Sequence, residues 1–151
     1  MGLAPDINEM LARARADLRM GVPIVLSGTV SIVAVAAESL SDARLSDVLK
    51  LDGTPVLALT GRRAQTLKAH VYDGNIARIL VPPDATLNWL RALSDPADDL
   101  ATPMKGPLRS KRDGNADAHR AAVHLCKSAR LLPAALCVEV NSGITFAAEN
   151  G

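Results

Sequence analysis

The chain has 151 residues, with 17 basic and 16 acidic side chains and a net charge of +1. One domain is expected, and neither nucleic acid nor an anionic membrane is favoured as a partner. Hydrophobic residues make up 48%, but Trp89, Tyr72 and Phe146 are the only aromatics, so the core must be a close packing of Ala, Leu and Val. Apolar runs such as Ile32 to Ala37 are far too short to cross a bilayer. Met1 to Met20 is charged and periodic, unlike a secretion signal, and 2 cysteines are too few for a disulfide framework. The chain reads as cytoplasmic.

Asp6 is placed to cap a first helix, with Ile7, Met10, Leu11, Ala14 and Leu18 on its apolar side. Gly21 closes it, and Val22 to Leu26 reads as a strand. Ser27-Gly28-Thr29 turns tightly into a second strand, Val30 to Ala37. Ser39 or Ser41 can cap a short helix carrying Leu45, Val48 and Leu49, which ends at Gly53. Pro55 to Leu59 is a third strand, and Thr60 caps a helix from Gly61 to about Lys68. Asp73-Gly74 turns into a fourth strand, Ile76 to Val81. After Pro82-Pro83, Asp84 is expected to cap a helix containing Leu87, Leu90 and Leu93. From Ser94 to Asn115 no apolar period survives, which marks a functional loop or a strap across the surface.

The organising stretch is Ala116 to Val140. Ala118, Ala121, Ala122, Leu125, Cys126 and Ala129 recur at the three-and-four spacing of one helical face. Pro133 stops the helix, and Ala134 to Val140, with β-branched Val138 and Val140, suits a buried central strand. Asn141-Ser142-Gly143 can turn the chain back into Ile144-Thr145-Phe146. Short turns at Gly28 and Gly143 demand antiparallel neighbours and the helical crossovers allow parallel ones. The expected fold is therefore α/β, of the α+β kind, with a mixed sheet and packed helices.

Reactive constellations are scarce. Cys126 and Cys137 have ten residues between them, like two-thirds of the Cys-x10-Cys-x-Cys zinc pattern of GTP cyclohydrolase II. The third cysteine is missing, and two thiolates do not complete a zinc site, so both read as buried small hydrophobes. His119 and His124 point about 140° apart on a helix, cannot grip one metal, and read as helix-surface residues. His70 lies near a helix end. Neither a Gly-rich phosphate loop nor a Gly-x-Ser-x-Gly elbow is present. The candidate anion site is Thr60, Gly61, Arg62 and Arg63, where helix amides and two guanidinium groups could hold a phosphate. The alternative is an ordinary cap with two solvated arginines.

At Leu125 to Val140 the chain resembles 3,4-dihydroxy-2-butanone 4-phosphate synthase, a riboflavin-biosynthesis family. The family has a Gly-His-Thr-Glu-Ala-Ala-Val-Asp-Leu helix, a Leu-x-Pro-Ala turn and a strand ending in Glu-(Ile/Val). The matching pieces are Ala121-Ala122-Val123-His124-Leu125, Leu131-Leu132-Pro133-Ala134 and Val138-Glu139-Val140, with no gap. In the same order, Ala36-Ala37-Glu38, Leu59-Thr60-Gly61-Arg62-Arg63-Ala64 and Leu90-Arg91-Ala92-Leu93-Ser94-Asp95-Pro96 look like further family segments.

The departures fall on the chemistry. Where the resemblance implies an acidic loop supplying magnesium ligands and acid/base carboxylates, the chain has Ser27-Gly28-Thr29-Val30-Ser31. The metal-binding His of the family falls at Ala118 and the Glu two residues later at Arg120. The Asp and Arg of its sugar-phosphate segment fall at Ala85 and Thr86. Magnesium needs oxygen ligands that alanine and arginine cannot supply.

The resemblance thus implies a degenerate synthase-like domain, residues 1–151, of the kind found before a GTP cyclohydrolase II domain. It is expected to have no catalytic residues, metal or cofactor of its own, and the N-terminal part of a longer protein is one expected setting for it. The expected role is dimerisation, or support and regulation of a cyclohydrolase in the same or another chain. A homodimer is the expected assembly. The alternatives are a small phosphate or nucleotide sensor using Arg62, Arg63 and the loop 94–115, and a residual lyase acting on ribulose 5-phosphate with metal held by Asp95, Asp98 and Asp99.

Overall fold

The computed structural model describes residues 6–98, 108–112 and 114–140. Helix α1 (Ile7–Arg19) begins at its expected cap, Asp6, and Glu9 completes a capping box there. The Glu9 amide donates to Asp6 Oδ1 at 2.8 Å and the Asp6 amide to Glu9 Oε1 at 3.3 Å. It closes at Gly21, whose φ of +75° suits glycine and where a Cβ would meet the Ser39 carbonyl oxygen at 2.5 Å.

Strands β1 (Ile24–Leu26) and β2 (Ser31–Ala36) form a hairpin, followed by α2 (Asp42–Leu49). Ser41 is the cap of α2, accepting from the Arg44 amide. Ser39 instead donates its hydroxyl to the Leu18 carbonyl and fastens the end of α1. Then come β3 (Pro55–Thr60), α3 (Gly61–Thr66), β4 (Ile76–Leu80) and α4 (Leu87–Ser94). The cap of α4 is Thr86, not the expected Asp84: its hydroxyl accepts from the Trp89 amide at 3.1 Å. A 3-10 turn, Pro96–Asp98, interrupts the stretch expected to be irregular. Helix α5 (Asp117–Ser128) and β5 (Ala134–Val140) complete the order. The expected turn and strand at 141–146 lie outside the described residues.

The sheet order is β1-β2-β5-β3-β4, so the last strand occupies the centre, as its apolar run suggested. The mixed pairing expected from the crossovers is corrected: all the described strand pairs are antiparallel. β2 and β3 do run the same way, but β5 inserts between them and is antiparallel to both. The six residues of α3 only reverse the chain, so β4 returns alongside β3.

Helices cover both faces. On one side Ile32, Ala34, Ala36, Val56, Ala58, Ala135 and Cys137 meet Leu18 of α1 and Ala122, Val123 and Cys126 of α5. On the other, Val35, Leu57, Leu59, Ile79, Leu136 and Val138 meet Leu45 and Val48 of α2 and Leu90 and Leu93 of α4. Each fully buried Leu or Ile contributes roughly 1.5–3 kcal/mol of transfer free energy.

On α5, Ala122, Leu125, Cys126 and Ala129 are buried as expected, but Ala121 is exposed and His119 takes its place in the interior at 1% exposure. Alanine fits either side of a helix, so an alanine-rich pattern fixes the buried face only loosely. The β4 edge is also closed: the Leu80 amide donates to the Arg109 carbonyl and the Lys111 amide to the Arg78 carbonyl, both at 2.7 Å. Residues 109–111 thereby act as a strap along the sheet edge.

Candidate functional site

Beneath this strap the sheet carries charge into its interior. The register places Ala36 beside Ala135, Ala135 beside Ala58, and Ala58 beside Arg78. The small neighbours leave room for one long side chain, and Arg78 fills it with its side chain wholly buried. Its Nε donates to Asp73 Oδ2 at 2.9 Å and its Nη2 to Asp73 Oδ1 at 3.2 Å, a two-pronged pair, while Nη2 also reaches the Gly114 carbonyl at 3.3 Å. Lys111 Nζ donates to Glu139 Oε1 at 3.3 Å.

His119 faces the same charges. Burial pushes its pKa down to about 4, the Arg78 and Lys111 cations add to the fall, and Glu139 and Asp73 oppose it. The ring is neutral at pH 7, and its buried Nδ1 has no hydrogen-bond partner among the described residues. Neither Arg78 nor His119 is marked by the sequence: one resembles an outward charge on an edge strand, the other a helix-surface histidine. Asp73, five residues before Arg78 across a Gly74 turn, is the one local hint of the pair.

The four residues expected to hold an anion are split between two layers. Thr60 Oγ1 accepts from the Arg63 amide at 3.1 Å as an ordinary cap. Gly61 is buried, with its amide donating to the Asn75 carbonyl at 2.7 Å. Arg63 turns away: Nε donates to the Leu93 carbonyl at 2.7 Å and Nη2 to the Ala92 carbonyl at 3.0 Å, bracing the C-terminal turn of α4. Arg62 is exposed.

Around Thr60 a different basic set gathers from α5. Arg120, His124 and Lys127, spaced at i, i+4 and i+7, line a cavity of about 540 Å³ together with Thr60 and Asn75. That spacing was the available signal, hidden because each residue alone reads as solvated surface.

At Arg120, where the family resemblance places a carboxylate, the guanidinium is held on three sides. Nε donates to Asn75 Oδ1 at 2.8 Å, Nη1 to Asp117 Oδ1 at 2.9 Å and Nη2 to the Asp73 carbonyl at 2.7 Å. Ala118 is half-buried beside it, and Thr86 is spent on its cap. Asp95 Oδ1 accepts from the Ala97 amide at 2.9 Å, and Asp99 lies outside the described residues. Among the described residues no three His, Cys, Asp or Glu side chains converge on a common point that could hold a metal ion. Cys126 and Cys137 are buried free thiols: burial raises Cys126 to about 12 and Cys137 further, so neither presents a thiolate.

No family model matches the chain. Two solved structures align over nearly all of it. One is RibBX, a two-domain 3,4-dihydroxy-2-butanone 4-phosphate synthase from A. baumannii, with a TM-score of 0.66, 16% identity, and coverage of 87% of this chain and 48% of that one. The other is a 3,4-dihydroxy-2-butanone 4-phosphate synthase in complex with two magnesium ions, with a TM-score of 0.61, 20% identity, and coverage of 86% and 74%. The chain has the synthase fold. In sequence, 141 residues are 33% identical to a GTP cyclohydrolase-2 of Azospirillum brasilense, spanning 91% of this chain and 36% of that protein. The chain therefore covers little more than a third of the curated relative's length. No helix among the described residues is long and apolar enough to cross a membrane.

Proposed function

We propose that this chain is a non-catalytic, synthase-like scaffold domain of a cytoplasmic riboflavin-biosynthesis protein of the GTP cyclohydrolase II type. Its role is dimerisation, or support and regulation of the cyclohydrolase. The observation that carries the reading is Arg120. A magnesium site needs hard oxygen donors, and the isomerisation of a sugar phosphate needs carboxylates free to move protons. A guanidinium stands where the resemblance places a carboxylate, and it is tied to Asp117, Asn75 and the Asp73 carbonyl. Elsewhere on the sheet Lys111 pairs with Glu139, the acid that closes the matching strand.

The match to a GTP cyclohydrolase-2, over about a third of that protein, supports the proposed context. Ile7 at 66% and Met10 at 54% exposure leave part of the apolar side of α1 open, which supports pairing of two copies through helix faces. The test is incubation with ribulose 5-phosphate and magnesium, followed for formate release. The expected result is no turnover above the protein-free rate, and turnover would overturn the scaffold reading. Sedimentation at micromolar concentration is expected to show a dimer, and a monomer would overturn that part.

A further inference from the structure

The cavity between α5 and the β3–β4 end of the sheet is rich in donors and poor in acceptors. Arg120 is fixed by its three bonds, and each of Nη1 and Nη2 still carries one N–H beyond those bonds. Asn75 Oδ1 is taken by Arg120, which leaves the two N–H groups of its amide. Thr60 Oγ1 accepts from the Arg63 amide and keeps its own proton to donate. His124 and Lys127 line the same space and have no partner among the described residues. The only carboxylate in the lining is Asp117, which stands at the rim with its side chain 79% exposed and is already held by Arg120. Ile76 and Val123, both buried, give the cavity an apolar floor. A volume of about 540 Å³ is in the range of small-molecule sites.

From this arrangement we infer that the cavity binds a phosphomonoester. Its phosphate lies among Arg120, Lys127, His124 and the Thr60 hydroxyl, and its carbon skeleton lies on Ile76 and Val123. Arg120 supplies a pre-oriented planar donor, so little side-chain freedom is lost on binding, while Lys127 supplies a point charge. The site does not depend on the scaffold reading: a turnover assay tests one and equilibrium binding tests the other.

The experiment titrates the whole chain with glycerol 3-phosphate and with inorganic phosphate, with sodium chloride at matched ionic strength as the control. Backbone amide shifts and the Arg120 Nε–H resonance are followed. Saturable shifts at residues 60, 75, 120, 124 and 127 are expected with the ester. The doubly substituted H124A/K127A chain should bind roughly tenfold more weakly with an unchanged melting temperature, because both side chains are exposed. Arg62→Ala, on the neighbouring helix and outside the lining, should bind as the unaltered chain does. The inference is overturned if chloride reproduces the shifts, if neither phosphate saturates, if inorganic phosphate binds and the ester does not, if H124A/K127A binds undiminished, or if Arg62→Ala abolishes binding.

Discussion

Removing the carboxylate of Asp73 tests whether the buried arginine is held as the geometry requires. The Arg78 side chain is 0% exposed and that of Asp73 10%, and the pair makes two bonds of 2.9 and 3.2 Å. In Asp73→Ala the guanidinium keeps the Gly114 carbonyl but loses an anion in a site where water cannot replace it. Breaking one side of a buried ion pair costs about 3–5 kcal/mol. The slight exposure of Asp73 and the surviving carbonyl bond put the expected loss at the low end, about 3 kcal/mol. Replacing both residues, Asp73→Ala with Arg78→Met, removes both charges and refills the alanine-lined space with an unbranched chain, so the double variant should lose only about 1 kcal/mol. Urea unfolding at pH 7 measures all three proteins, and a constant slope with denaturant shows that the unfolding reaction is the same in each. A loss below about 1 kcal/mol for Asp73→Ala, the size of an exposed pair, would refute the reasoning.

Three further outcomes are expected. Gly53→Ala should destabilise the chain by at least about 2 kcal/mol in the same urea assay, because φ there is +132° and a Cβ would stand 2.6 Å from the Glu139 carbonyl oxygen of the central strand. His119 has a folded pKa of about 4 against an ordinary histidine value of 6.5, so the unfolded chain binds more protons between those values. Its contribution is complete above about pH 6.5 and is lost as the pH falls toward 4, by about 3 kcal/mol, and stability of His119→Leu measured from pH 4 to 7 should lack that slope. Cys126 and Cys137 should resist iodoacetamide at pH 8 in the native chain and both react in denaturant, because burial holds their protons on. Labelling of the native chain by mass spectrometry would count against that.

What could be read from the sequence was local. Asp6 and Glu9 bracket a capping box within four residues, Thr60 sits directly before its helix, and Pro133 separates a helix from a β-branched run, so α1, α3, α5 and β5 are written in short segments. Pairing is not: β5 reaches the centre of the sheet only because β2 and β3, about eighty residues or more upstream, leave a gap for it. The same distance dependence misplaces side chains. Arg63 reads as a phosphate ligand until the α4 carbonyls of Ala92 and Leu93, about thirty residues downstream, are brought to it. Nothing near Arg78 in the sequence signals its burial, which comes with residues 109–111 covering the edge of β4. His119 and Ala121 exchange faces because alanines set no preference that a histidine must respect.

A working site and a structural contact place opposite demands on polar side chains. A site must keep donors and acceptors open for a ligand, whereas a contact that holds a fold must consume them, since a buried group left unmet costs free energy. Around the strap, Asp73 meets Arg78 with both carboxylate oxygens and Glu139 meets Lys111, and at the end of α4 Arg63 meets two carbonyls. Those groups tie residues far apart in the chain and serve the fold. The groups lining the cavity at Thr60 behave differently: Arg120 is tied on three sides and still has donors to offer, and His124 and Lys127 are met by nothing described. Open donors without acceptors are the pattern expected where an anion supplies the missing half. By this criterion the Asp73–Arg78 and Lys111–Glu139 pairs are architecture, and the open donors gather on the outer face of α5.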